Sequence, residues 1–132
     1  MTKKEARVLL ANRYRTILQA YRHLLEPTFE VTGMVDGPGM LLESTETIKP
    51  DVAVLDLTMR GINDVNTIRQ LRNRNPNLKV IVLSVYDKQT LVNEALATGV
   101  SGFVLKKTAA WDLIPAIRYA LQSRTYVSLT VR

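Results

Sequence analysis

Apolar positions along the chain fall into two alternating kinds of stretch. Five short runs rich in Val, Leu and Ile occupy 7–11 (RVLLA), 29–35 (FEVTGMV), 52–56 (VAVLD), 79–84 (KVIVLS) and 102–105 (GFVL). Several lack the in-out alternation of a half-exposed strand, as expected where both faces of a parallel sheet are covered. Between them the apolar spacing changes to that of a helix face. Ile17, Leu18, Tyr21, Leu24 and Leu25 form the first such face, ahead of Pro27, and Leu41, Thr45 and Ile48 the second, ahead of Pro50. Val65, Ile68 and Leu71 form the third, with Asp64 as a start signal and Asn75-Pro76 as the stop. Leu91, Val92, Ala95 and Leu96 form the fourth, with Gly99 placed to cap it, and Leu113, Ile114, Ile117, Ala120 and Leu121 the fifth.

The order βαβαβαβαβα predicts an α/β fold, a doubly wound three-layer sandwich on a five-stranded parallel sheet. Pro115 conflicts locally with the last helix, because a proline deep in a helix removes a hydrogen bond at a cost of about 3 kcal/mol. The regular helix is therefore expected to begin near Asp112, or to have a distorted first turn. The periodic pattern ends at Gln122, with a polar tail beyond it.

Composition narrows the function classes. With 132 residues, 46% hydrophobic and 23% charged, the chain suits one soluble globular domain. It has no cysteine, which excludes disulfides and thiolate metal sites and is compatible with a reducing compartment. No apolar run reaches the roughly 18–20 residues of a membrane span, and the basic start has no small-residue cleavage site, so a cytoplasmic location is the default expectation. The net charge of +6 permits binding to a polyanion, but the cations are scattered. Lys3-Lys4 and Arg69/Arg72/Arg74 read as a solvated terminus and helix face, and no direct nucleic-acid or membrane contact is expected of this segment.

Minor signals read as structural. The G-x-G of DGPGM (36–40) lacks phosphate-loop spacing and reads as a turn before a helix. His23 stands without a second His or Cys, and Trp111 and Tyr119 read as packing residues of the last helix. There is no nucleophile elbow or dinucleotide fingerprint, and a flavodoxin-like enzyme has no support beyond the fold. No enzymatic activity is expected.

The polar residues at the ends of the central runs form a set: Asn12-Arg13, Asp56, Ser84 and Lys106. Parallel strands bring these ends into one crevice, the usual ligand site of such sheets. VAVLDLTMRGIND, VIVLSVYD and GVSGFVLKK resemble the receiver domains of two-component response regulators, from about residue 6 to 122. The tail SRTYVSL resembles the segment after the receiver in the NarL/FixJ-like branch. This resemblance implies a flavodoxin-like strand order 2-1-3-4-5, with the phosphoacceptor at Asp56, a phosphoryl-contacting hydroxyl at Ser84, a pairing cation at Lys106 and an aromatic switch at Phe103. It divides the chain into a receiver over 1–122 and, over 123–132, the start of a linker to a DNA-binding domain absent from the chain.

The family's metal-binding acidic pair falls on Asn12 and Arg13, neither of them acidic. Mg²⁺ wants hard carboxylate and water oxygens, and phosphoryl transfer to a carboxylate relies on it for neutralisation. With Asp56, Arg13 and Lys106 the crevice has a formal charge of +1. At about 5 Å and an effective dielectric near 20, each unit of charge is worth roughly 3 kcal/mol, so Mg²⁺ binding is expected to be weak or lost, leaving no cofactor. Arg13 either turns its planar fork to Asp56 in place of the metal, or points to solvent and leaves Asp56 to Lys106. Arg60, where the family usually has Pro, and Val85, where a small residue is common, depart in the same direction.

The leading expectation is an atypical receiver that regulates an output domain or a dimer without Mg²⁺-dependent phosphorylation. The alternatives are a conventional receiver phosphorylated on Asp56 by a histidine kinase, and an anion-sensing module built on Arg13, Ser84 and Lys106. The implied partners are a histidine kinase, the parent chain's own helix-turn-helix domain, and a second copy of the chain. The dimer faces weighed are the first and fifth helices, or the face of the fourth helix, fifth strand and fifth helix.

Overall fold

The computed structural model describes residues 3–56 and 65–128. In chain order the elements are β1 (Arg7–Ala11), α1 (Arg15–Leu25), β2 (Glu30–Val35), α2 (Pro38–Ile48), β3 (Val52–Asp56) and α3 (Val65–Arg74), then β4 (Lys79–Ser84), α4 (Gln89–Ala97), β5 (Gly102–Leu105), α5 (Ala109–Leu121) and β6 (Tyr126–Val127). The strands form one sheet in the order β2-β1-β3-β4-β5-β6, with every pairing parallel.

Alternation along each strand sends neighbouring residues to opposite faces, and both faces are dry. Leu9, Ala53, Leu55, Val80, Val82 and Phe103 pack with Leu41 of α2, Ile68 and Leu71 of α3, and Val92 and Ala95 of α4. Val8, Leu10, Val54, Ile81, Leu83 and Val104 pack with Leu18 and Leu25 of α1 and with Leu113, Ala116 and Ile117 of α5. Each fully buried Leu, Ile or Phe contributes roughly 1.5–3 kcal/mol. The two cores fix the register of every central strand, and so bring the carboxyl ends of β1, β3, β4 and β5 to one edge.

The helix stops act as their chemistry requires. α2 ends at Lys49, which takes a left-handed φ of 54° ahead of Pro50. Gly99 follows α4 at φ +88°, where a side chain is disfavoured, and donates its N–H to the Leu96 carbonyl at 2.9 Å. In DGPGM only Asp36-Gly37 is non-helical: Gly37 is the N-cap of α2, and Pro38, Gly39 and Met40 already belong to its first turn. The Asp64 start signal and Arg60 lie outside the described residues.

Three expectations need correction. α5 begins at Ala109 rather than near Asp112, with Pro115 inside it. A 3₁₀ turn over Lys106–Thr108 leads into the helix, and Thr108 Oγ1 donates to Asp112 at 2.6 Å, tying down the first turn upstream of the proline. The sheet has six strands instead of five, because Tyr126 and Val127 of the expected linker pair with Gly102 and Phe103. Trp111, read as a packing residue, is 78% exposed.

Candidate functional site

Three of the strand-end residues converge. Asp56, the last residue of β3, is 1% exposed, as is Asn12, which directly follows β1. Asn12 Nδ2 donates to Asp56 Oδ2 at 2.6 Å, and Lys106 Nζ lies 2.5 Å from the same oxygen. The Asn12 carbonyl oxygen accepts the Tyr14 N–H at 2.9 Å, an Asx turn that leads into α1. The amide is thereby fixed at both ends, oxygen toward the backbone and nitrogen toward the carboxylate. A charge-assisted contact of this kind is about twice as strong as a neutral one.

The contacts of Arg13, Ser84 and Phe103 lie elsewhere. Arg13 is exposed, with its guanidinium carbon 5.4 Å from the centre of the Tyr14 ring. The fork between Arg13 and Asp56 is therefore not formed: Asn12 and Lys106 already hold Oδ2, and the Tyr14 face offers the cation a partner outside the crevice. The Arg13 charge accordingly sits at the surface and adds little to the crevice. Ser84 ends β4 fully buried, and its hydroxyl is engaged with its own loop, accepting the Tyr86 N–H at 2.9 Å and donating to the Tyr86 carbonyl at 3.0 Å. Phe103 is fully buried in the core on the α2, α3 and α4 side of the sheet.

Among the described residues, the groups around Asp56 do not make an oxygen donor set for Mg²⁺. Asp56 presents a carboxylate whose Oδ2 already takes two donors, and Asn12 turns an NH₂ group rather than an oxygen toward it. Among the described residues no group of three or more His, Cys, Asp or Glu is gathered for a metal.

A second polar cluster escaped sequence reading. Asp112 accepts Thr108 Oγ1 at 2.6 Å, Tyr126 OH at 2.6 Å and Ser128 Oγ at 2.8 Å. Ser128 Oγ also accepts the Leu105 N–H at 3.0 Å. Burial raises the Asp112 pKa, but the three hydroxyl bonds outweigh it and hold the carboxyl below the ordinary aspartate value. Tyr126 also meets Tyr119 edge-to-face at 5.2 Å, and the Arg124 guanidinium covers Tyr119 at 4.3 Å. The available signal was a row of hydroxyls in SRTYVS, opposite an acid in the first turn of α5. On α1, the Tyr21 hydroxyl is pushed above the usual tyrosine range, chiefly by burial and further by the Asp56 charge.

Residues 8–118 match the family described as response regulator receiver domain. The chain belongs to that family. Its relatives include the transcriptional regulatory protein DegU of Brevibacillus brevis, 37% identical over 103 residues, a match covering 78% of this chain and 44% of DegU. The nitrate/nitrite response regulator protein NarL of Escherichia coli is 27% identical over 128 residues, covering 96% of this chain and 59% of NarL. The chain spans about half the length of the curated relatives it matches. A LuxR-family two-component response regulator from Aurantimonas superposes with a TM-score of 0.90 at 24% identity, over 96% of this chain and 91% of that one. The isolated receiver domain of RcsB from Salmonella enterica, solved with a phosphomimetic beryllofluoride, gives 0.87 at 23% identity, over 96% of this chain and 95% of that one. No helix among the described residues is long and apolar enough to cross a membrane.

Proposed function

We propose that this receiver acts as a regulatory interaction module, not an enzyme, whose state is set without conventional Mg²⁺-dependent phosphorylation of Asp56. The observation that carries the reading is the Asn12 amide, which donates to Asp56 Oδ2 from a position where a metal site needs an oxygen acceptor. With Lys106 on the same oxygen, the carboxylate has its negative charge compensated from within the fold. The domain would act in a cytoplasmic regulator of transcription, on a C-terminal helix-turn-helix domain of a longer parent chain or on a second copy. Support for the longer chain comes from relatives of roughly twice the matched length that are named as transcriptional regulators.

A conventional phosphoacceptor, served by a histidine kinase, is the second reading. It is favoured by the outward Arg13, whose guanidinium does not block the crevice, and by the presence of Ser84 and Lys106. Incubation with acetyl phosphate and Mg²⁺, followed by intact mass, separates the two. The proposal expects an unmodified chain, and an Asp56 adduct once Asn12→Asp and Arg13→Asp restore the acidic pair. A wild-type adduct forming as fast as that of the reverted protein overturns the first reading in favour of the second.

A further inference from the structure

The edge of the sheet opposite Asp56 carries a cavity of about 190 Å³, lined by Arg72, Lys79, Arg124, Ser101, Ser123 and Thr125 with the Gly99-Val100 turn. Three cations and three hydroxyls meet there, and no carboxylate is among its lining residues. The ion pairs formed among the described residues do not include Arg72, Lys79 or Arg124.

The cations are positioned by the fold. Arg72 of α3 donates to the Leu78 carbonyl at 3.3 Å, and its guanidinium lies against Gly99, where an added Cβ would come within 3.1 Å of Nε. Lys79 Nζ, at the start of β4, lies 3.4 Å from Ser123 Oγ. Arg124 stacks on Tyr119 and reaches Gln122 Oε1 at 3.5 Å. Ser123 takes a left-handed φ of 58°, which curls the α5–β6 connection over the cavity. At about 30 Å³ per water the space holds about six waters, enough for one compact oxyanion with part of its shell.

We propose that this cavity is a binding site for a small phosphate-class oxyanion, separate from the Asp56 crevice. Arginine suits forked contact with phosphate oxygens, lysine supplies a point charge, and the hydroxyls complete the donor set. A concave pocket of this size suits a free compact anion better than a nucleic-acid backbone, which needs an extended basic track.

The test is an amide-shift titration of the wild-type domain with inorganic phosphate and with pyrophosphate at fixed ionic strength, beside a duplex DNA arm. The expected result is saturable binding in the low-millimolar range or tighter, with shifts confined to residues 72, 79, 99–101 and 123–125. Lys79→Gln and Arg124→Gln each weaken it about tenfold. A linear response without saturation, shifts centred on Asn12, Ser84 and Lys106, or variants that bind like wild type overturn the site. DNA binding tighter than pyrophosphate on these same residues assigns the patch to nucleic acid and overturns it equally. Because the wild-type map decides the location, a variant that folds poorly does not rescue the proposal.

Discussion

Asn12→Asp tests the electrostatics around Asp56 with almost no change of shape. It replaces the NH₂ group that lies 2.6 Å from Asp56 Oδ2 with a carboxylate oxygen, at a position 1% exposed. With charge centres about 4 Å apart and an effective dielectric near 20, the new repulsion is about 4 kcal/mol. Lys106, 2.5 Å from Oδ2 with its side chain 22% exposed, offsets part of it. The net loss of stability near neutral pH is therefore about 2–3 kcal/mol.

The pH dependence has a definite sign. Two facing carboxylates bind a proton more tightly than either does in the unfolded chain, so the penalty is full above the raised folded values. It fades as pH falls toward the unfolded aspartate value near 3.9. A divalent cation relieves the same repulsion: Mg²⁺ at a hundred times its Kd restores about 2.7 kcal/mol. Urea unfolding in EDTA, in Mg²⁺ and near pH 5 reads all three effects. The variant is expected to lose stability in EDTA, regain it in Mg²⁺ and approach wild type toward pH 5, while wild type ignores Mg²⁺. Equal stability of the two proteins in EDTA, or wild type gaining as much from Mg²⁺ as the variant, refutes the reasoning.

Three further outcomes follow from the geometry. Asp112→Ala removes the acceptor of three hydroxyls and is expected to cost about 2–3 kcal/mol, with faster hydrogen exchange at the Tyr126 and Ser128 amides. Because the Asp112 carboxyl is held below its ordinary value, its stabilisation is present above the unfolded value near 3.9 and lost as pH falls through the folded one. Acid titrations should therefore decline less steeply in the variant. Tyr21, raised by burial and the Asp56 charge, contributes stability that is full below pH about 10 and lost as pH rises through its folded value. Tyr21→Phe is expected to remove a phenol that titrates above the ordinary tyrosine range from an ultraviolet pH titration, and a variant curve with an unchanged high-pH limb counts against it. Gly99→Ala, at φ +88° and against Arg72, is expected to destabilise by about 1–2 kcal/mol in urea unfolding.

The main strands were legible because burial on both faces leaves an apolar run with few ambiguous positions. β1, β3, β4 and β5 have the bounds read from RVLLA, VAVLD, KVIVLS and GFVL, and β2 differs by one residue at Phe29. β6 was not legible. Two residues of strand between polar neighbours carry no period, and what holds them is an acid fourteen or more residues away in α5 and the open edge of β5. The helix start at Ala109 escaped for a related reason. Proline's cost is a local rule, whereas the 3₁₀ turn and the Thr108–Asp112 bond that outweigh it belong to the fold. At the crevice, the positions of Asn12, Asp56 and Lys106 were readable from the strand ends. The direction of Arg13 was not, because it depends on which partner, Tyr14 or Asp56, the loop geometry brings within reach.

The two polar clusters are joined by a short piece of chain, which bears on how an unphosphorylated crevice could still govern the tail. Lys106 pairs with Asp56 and opens the 3₁₀ turn; Thr108 closes that turn and bonds Asp112; Asp112 holds Tyr126 and Ser128. Contiguity alone does not make coupling, which requires an element with two arrangements that both ends bias. The three-residue turn is the strongest choice for that element, since a 3₁₀ segment has poorer hydrogen-bond geometry than the helix it leads into. Drawing Lys106 away from Asp56 is expected to shift the first residue of that turn and, through it, the Thr108 hydroxyl that bonds Asp112. On the function proposed above, a partner that competes for Lys106 would act on β6 through this same turn, an output path that does not require a metal at Asp56.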